Sequence, residues 1–375
     1  MDGLMSQPEL SIYVHIPFCE TKCPYCDFNT YAGIEDLIPV YVDALAAEIR
    51  AWGIFTGHPN VGTIFFGGGT PSYIPGKSLA RLFDTLTESF SVSPDAEVTL
   101  EANPGDMDLS RVRQIVKTGF NRISIGVQTL DTGLLNILGR RHTAARAKES
   151  ILLAREGGFQ NISLDLMFGL PNQTLKSWEE TLSEALTLSS DHLSLYSLTL
   201  EQGTPMERDV RLGRVSTPDL DLAADMYESA QKILSKTEHV QYEISNWAVP
   251  GYASKHNLTY WRNQPYLGVG PGAHSYLFAN GLKGLESLGS TGVRFAAIRP
   301  PKNYITAIGD WEDPTIALKE DSLNGMPFIE LIDPISRDAA MKETMMMGLR
   351  LNEGVRDSEF RERFGQSIGE VFPGA

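Results

Sequence analysis

The chain holds three cysteines, Cys19, Cys23 and Cys26, all within eight positions of one another. They follow directly on Ser11-Ile12-Tyr13-Val14-His15-Ile16-Pro17-Phe18, a β-branched and aromatic run that reads as a strand, so the thiols fall on the loop that leaves it. Three closely spaced thiolates suit a soft-metal centre, either zinc or an iron–sulfur cluster. Structural zinc takes four protein ligands, and there is no second cysteine pair. His15 could be a fourth ligand, but it lies within the strand pattern, where packing is its simpler role. A [4Fe-4S] cluster on three cysteines leaves one iron open for an exogenous ligand, and the spacing favours that arrangement over zinc.

Further polar groups recur at intervals along the chain. Phe65-Phe66-Gly67-Gly68-Gly69-Thr70-Pro71 would let backbone approach a bound group closely, with carbonyls free to accept from an amino group. Glu101 in Glu101-Ala102-Asn103-Pro104 is a carboxylate suited to ribose hydroxyls, or else a cap before a helix. Gln128, Arg140 and Asp165 add an amide, a guanidinium for a carboxylate partner and a second acid. Near the other end stand His256-Asn257-Leu258-Thr259-Tyr260-Trp261 and Gly272-Ala273-His274-Ser275. An imidazole there can act as a metal ligand, and Tyr260 and Trp261 offer flat apolar faces, although a packed interface would use the same residues. His58, His142 and His239 read as surface or structural.

These groups need elements to position them. Strands are expected at 10–18, 61–68, 97–102, 122–128, 161–168 and 193–200, alternating with helical spacing at 37–52, 79–90, 109–118, 144–156, 178–188 and 220–234. Asp108 and Ser177 stand where N-caps should be, Gly119 and Gly157 where C-caps should be. Alternation at this period implies a parallel sheet with right-handed crossovers. The polar clusters all follow strands, as they do at the C-terminal face of a barrel. Six units are too few for a closed eight-fold barrel, so the fold expected is a partial (β/α)6 TIM-type barrel; a doubly wound α/β sheet would give the same alternation. Residues 1–250 are expected to form the barrel. Residues 251–375, rich first in Gly and aromatics and then helical around Met345–Met347 and at 357–364, are expected to form a smaller accessory region.

Cys-x3-Cys-x2-Cys after the first strand, with Tyr25 before the third Cys, resembles the motif of radical S-adenosylmethionine (SAM) enzymes. Within that superfamily, Tyr13-Val14-His15-Ile16-Pro17-Phe18-Cys19 and Cys26-Asp27-Phe28 resemble the coproporphyrinogen dehydrogenase-related group, over residues 10–364. The resemblance implies that Cys19, Cys23 and Cys26 ligate a [4Fe-4S] cluster whose fourth iron is chelated by SAM, and that the reduced cluster releases a 5′-deoxyadenosyl radical. It implies SAM contacts from Tyr13, Tyr25, Gly68, Gly69, Thr70, Glu101, Gln128, Arg140 and Asp165. The dehydrogenase branch carries a further Cys two residues after the third, where this chain has Phe28, and a longer segment than the 18 residues before Cys19 here. Both departures, with the His-Asn-x2-Tyr-Trp and Gly-Ala-His-Ser strings, resemble the HemW family of heme chaperones. That family implies heme as ligand, with His256, Tyr260, Trp261 and His274 as candidate contacts, an acceptor protein for the heme, and an electron donor to the cluster. Oxidative decarboxylation of coproporphyrinogen III is the alternative. The family's C-terminal module would run further than Ala375, so the chain ends sooner than the resemblance implies.

Composition narrows the setting. The 32 Lys and Arg against 47 Asp and Glu, a formal net charge of −15, disfavour a nucleic-acid partner. An odd, clustered set of 3 cysteines is no disulfide framework. No apolar run is long enough to span a bilayer, and Met1 to Leu10 lacks the order of a signal peptide. A cytoplasmic protein is expected.

Overall fold

The computed structural model describes residues 9–279, 291–311 and 323–374; residues 1–8, read above as lacking a signal peptide, lie outside this set. Six strands, β1 (Leu10–Ile16), β2 (Asn60–Gly68), β3 (Ser91–Ala102), β4 (Arg122–Gln128), β5 (Asn161–Phe168) and β6 (His192–Ser197), lie side by side in chain order, all parallel. A doubly wound sheet would reverse its order at a switch point, and this one does not. Helices Ile38–Thr56, Gly76–Ser89, Leu109–Thr118, Ala144–Gly157, Leu175–Leu186 and Leu220–Leu234 follow the strands in turn. The fold is the expected partial (β/α)6 barrel. Its wall stays open: β8 (Asn246–Ala248) and β7 (Val240–Glu243) run antiparallel beyond β6. Beyond β1 come β9 (Tyr266–Val269), parallel to it, then antiparallel β10 (His274–Phe278), β11 (Gly292–Ala297) and β12 (Ile329–Ile335). No helix among the described residues is long and apolar enough to cross a membrane.

Strand alternation decides which face holds the core. Ile12, Val14, Ile64, Phe66, Val98, Leu100, Ile123, Ile125, Ile162, Leu164, Leu193 and Leu195 are buried and form one cluster with the helices. The intervening positions, among them Tyr13, Phe65, Glu101, Arg122, Ser124, Asp165 and Ser194, turn inward and line a cavity. A second, smaller core joins Tyr276 and Ile335 to Met341, Phe360 and Phe364 of helices Arg337–Gly348 and Asp357–Phe364.

Two helix caps differ from expectation. Ser177 does not cap: Thr174 does, accepting from Ser177 N at 3.1 Å, while Ser177 Oγ accepts from Thr174 N at 3.1 Å. This reciprocal box starts the helix earlier than the apolar pattern does. Gly157 is the last helical residue and Gly158 the C-cap, at φ +117°. A Cβ on Gly157 would meet Val112 Cγ1 at 2.2 Å, so that glycine serves helix packing and its neighbour serves the left-handed turn. Asp108 and Gly119 cap as expected.

One buried carboxyl ties the barrel to the elements beyond residue 250. Glu48 accepts from Gly270 N at 2.8 Å, from Trp52 Nε1 at 3.2 Å and from the Tyr304 hydroxyl. Burial pushes its carboxyl up to about 7, against the pull of those three hydrogen bonds. An unfolded Glu titrates at about 4.3. Folded protein therefore keeps a proton that the unfolded chain has lost; the contribution is full below about 4.3 and fades as pH rises through about 7. Chemical denaturation should show stability falling between pH 5.5 and 8, with a smaller fall in Glu48→Gln. Equal falls in both proteins would remove Glu48 as the source.

Candidate cluster and cofactor site

The cysteine loop is closed at its base and braced inside. Cys19 N donates to Tyr31 O at 2.9 Å and Tyr31 N to Pro17 O at 2.8 Å. Lys22 Nζ reaches back to Phe28 O at 2.9 Å and Thr30 O at 3.2 Å. His15 Nε2 lies 2.9 Å from Asn29 O, a carbonyl that can only accept, so Nε2 carries the proton. Nδ1 then accepts from the Tyr13 hydroxyl at 3.0 Å. Burial lowers the His15 pKa to about 4, which keeps the ring neutral with both nitrogens engaged. His15 is thus a brace for the loop, as its strand position suggests. On the outer side, Asn29 Nδ2 donates to Pro271 O and Arg299 O, both at 2.9 Å.

All three cysteines are free thiols, Cys19 buried and the others half-buried. Cys19 Sγ stands 3.3 Å from Thr70 Oγ1, and Arg140 Nη1 donates to Cys23 Sγ at 3.5 Å. Thiols set apart around one loop fit the corners of an iron–sulfur cluster. Burial, ahead of the neighbouring thiols, pushes the Cys26 thiol up, and an inorganic core's positive charge would reverse that.

The glycine loop packs directly under the cysteine loop. Gly69 N donates to Ile16 O at 2.7 Å and Thr70 N to Phe18 O at 2.8 Å. A Cβ on Gly69 would lie 2.6 Å from Phe18 O, and one on Gly68 2.5 Å from the His15 ring, so no side chain fits between the loops. Beneath lies a cavity of about 520 Å³, within the range of small-molecule sites. The three cysteines and all nine residues expected to contact SAM line it.

The cavity's charged side chains feel one another without closing an ion pair among the described residues. Glu101 accepts from Gly68 N at 3.1 Å, and burial followed by the Asp165 charge pushes it up to about 8. Asp165 accepts from Ser124 Oγ at 2.9 Å and is likewise raised by burial. Arg140 Nη2 donates to Gly126 O at 2.8 Å, while its Nε is buried with no partner. Gln128, in the left-handed region at φ +65°, sits at a register shift of β4 against β5 that turns the chain at the rim. Unmatched carboxyls and an open guanidinium N–H fit a ligand that carries both signs, as SAM does. Sequence reasoning missed Arg122, Ser124, Ser194 and Tyr196, which share this lining. Strict polar–apolar alternation in β4 and β6 was the available signal.

Helix Lys255–Trp261 closes the barrel from the strands' N-terminal ends. Thr259 Oγ1 lies 2.8 Å from Ser11 Oγ, His256 Nδ1 2.7 Å from Thr63 Oγ1, and the Glu97 carboxylate accepts from Lys255 N and His256 N at 3.0 Å. His256 Nε2 pairs with the Tyr260 hydroxyl at 2.9 Å, and the ring stacks on Phe65 with centroids 5.1 Å apart. Burial, then the Arg122 charge, lowers its pKa to about 3. Of the four heme candidates, His256 and Tyr260 line the cavity. Trp261 lies instead beneath the Arg350 guanidinium at 4.8 Å, and His274 is exposed at the start of β10. The four are not brought together.

Residues 13–185 match the Radical SAM superfamily and residues 335–375 the HemN C-terminal domain. The chain is 38% identical over 364 residues to the heme chaperone HemW of Bacillus subtilis, spanning 97% of this chain and 89% of that protein. It is 36% identical over 354 residues to radical S-adenosyl methionine domain-containing protein 1, mitochondrial, of Mus musculus, spanning 94% and 75%. The solved structure of coproporphyrinogen III oxidase (HemN) from Escherichia coli shares the fold, with a TM-score of 0.78 over 99% of this chain and 82% of that one at 23% identity. Similarity to heme chaperone HemW along nearly the whole chain makes this protein a member of the HemW family within the radical SAM superfamily.

Proposed function

We propose that this chain is a heme carrier that uses a [4Fe-4S] cluster and SAM in holding heme or releasing it to an acceptor protein, with a separate electron donor for the cluster. The observation that carries the reading is the 38% identity to heme chaperone HemW over 97% of the chain. Phe28 agrees with it. That residue stands 66% exposed beside the cluster loop, where the dehydrogenase branch would have a cysteine. Incubated anaerobically with SAM, a reductant and coproporphyrinogen III, the cluster-loaded protein should leave the propionates intact, while binding heme stoichiometrically. Robust conversion to protoporphyrinogen would sink the carrier reading.

Each part of the cavity has a role in this reading. Cys19, Cys23 and Cys26 hold the cluster, and Thr70 and Arg140 bond two of the sulfurs. The bound, reduced cluster supplies an electron to the SAM sulfonium. Arg140 Nε takes a carboxylate, and the Glu101 and Asp165 carboxyls take ribose hydroxyls and the ligand's positive charge. Because Glu101 is held near 8, a cationic ligand must displace its proton at lower pH. SAM binding, followed by calorimetry, should therefore tighten from pH 6.5 to 8.5 and level off above. In Glu101→Gln the dependence should flatten; a wild type with no pH dependence would remove Glu101 from the contact.

Heme contact belongs to His256 and Tyr260, the two candidates that face the cavity. They bond one another, so iron reaches His256 Nε2 when the Tyr260 hydroxyl gives it up. A Soret-band titration of His256→Ala should show heme affinity reduced at least about tenfold. Unchanged affinity would take His256 out of the site.

A further inference from the structure

The cavity ends on Arg122, the first residue of β4. Arg122 is 2% exposed, its Nε has no partner, and its side chain makes neither a hydrogen bond nor an ion pair among the described residues. An arginine cannot shed its charge on burial as a carboxyl or imidazole does, so an unpaired one is unusually costly. Strand register sets Thr99 of β3 and Asn161 of β5 on either side of it. Thr99 Oγ1 and Asn161 Oδ1 are buried without partners as well. Three unmet polar groups thus stand in register across three adjacent strands, and of the three Arg122 lines the cavity. Glu101 and Asp165, whose carboxyls feel the Arg122 charge, hydrogen-bond elsewhere, to Gly68 N and Ser124 Oγ.

We propose that Arg122 is a carboxylate subsite within the cavity, separate from Arg140 beside the cluster loop. A planar guanidinium fork matches a carboxylate bidentately. The carboxylate comes either from a porphyrin propionate or from SAM, in the latter case in place of the Arg140 contact given above. The propionate source rests on the carrier reading above, whereas the subsite itself does not.

The deciding variant is Arg122→Lys, which keeps the charge that pulls on Glu101 and Asp165 and removes the fork. Cluster-loaded wild type and variant are titrated with heme, with heme dimethyl ester (which has no free carboxylate), and with SAM. A propionate at the subsite gives a loss of heme affinity of about tenfold or more in the variant, with ester binding unchanged. A SAM carboxylate there gives the same loss for SAM, with heme and ester unchanged. Arg122→Met, which also removes the charge, should show a loss at least as large for the same ligand. A folded Arg122→Lys that binds heme and SAM as the wild type does overturns the subsite, whatever its thermal stability. If Arg122→Lys does not fold, Arg122→Gln takes its place, with the same loss expected and wild-type affinities for heme and SAM overturning the proposal. A wild type that binds no heme, with SAM affinity lost in the variant, discards the carrier reading and keeps the subsite.

Discussion

Six parallel strands bury one face only, and the site depends on that asymmetry. Outward positions such as Ile64, Phe66, Leu100, Ile125 and Leu164 are wholly covered by helices and supply the apolar burial. In a closed barrel the inward positions would interdigitate as a second apolar core. Here they carry Tyr13, Glu101, Arg122, Ser124, Asp165 and Ser194, and the wall is left open, so the interior neither collapses nor fills itself. The helices stabilise the sheet from outside, which leaves the inner face free to hold ligands.

Such an interior pushes its titratable groups towards neutrality. Glu101 is raised to about 8, His15 is lowered to about 4 and His256 to about 3, with burial the largest cause in each case. The two guanidiniums cannot follow, because arginine stays protonated throughout the accessible pH range. Arg140 makes two hydrogen bonds and keeps one N–H open, and Arg122 makes none. The cavity is therefore biased towards positive charge at its two arginines and keeps a proton on Glu101 that a cationic ligand would displace. Recognition by exchange of protons for ligand charge follows from that state.

Much of this was legible in the residues. Cysteine spacing fixes the cluster loop, and the β-branched runs place the six strands within a few residues of where they lie. The polar residues after each strand do converge, because parallel strands put all their C-terminal ends on one side. What could not be read depends on contacts distant in sequence. Nothing local tells that His256 reaches Thr63, 193 positions away, or that Glu97 caps the helix carrying it. The separation of His256 and Tyr260 from Trp261 and His274 has the same origin: neighbours in a motif need not share a face once the helix ends at Trp261. Arg122 was visible only as part of an alternation, and alternation shows which side a residue faces without showing that its partners are missing.

The cluster loop is held from two directions, and the second of them links it to the tail. Within the barrel, His15, Lys22 and the glycine loop fix its backbone. From outside, Asn29 spends both amide hydrogens on Pro271 O and Arg299 O. Gly270, whose Cβ would meet His15 O at 2.8 Å, sets that turn against the strand end, where Glu48 accepts its N–H. Moving residues 270–272 or 299 therefore breaks hydrogen bonds of the very loop that carries the cysteines, with no intermediate element needed.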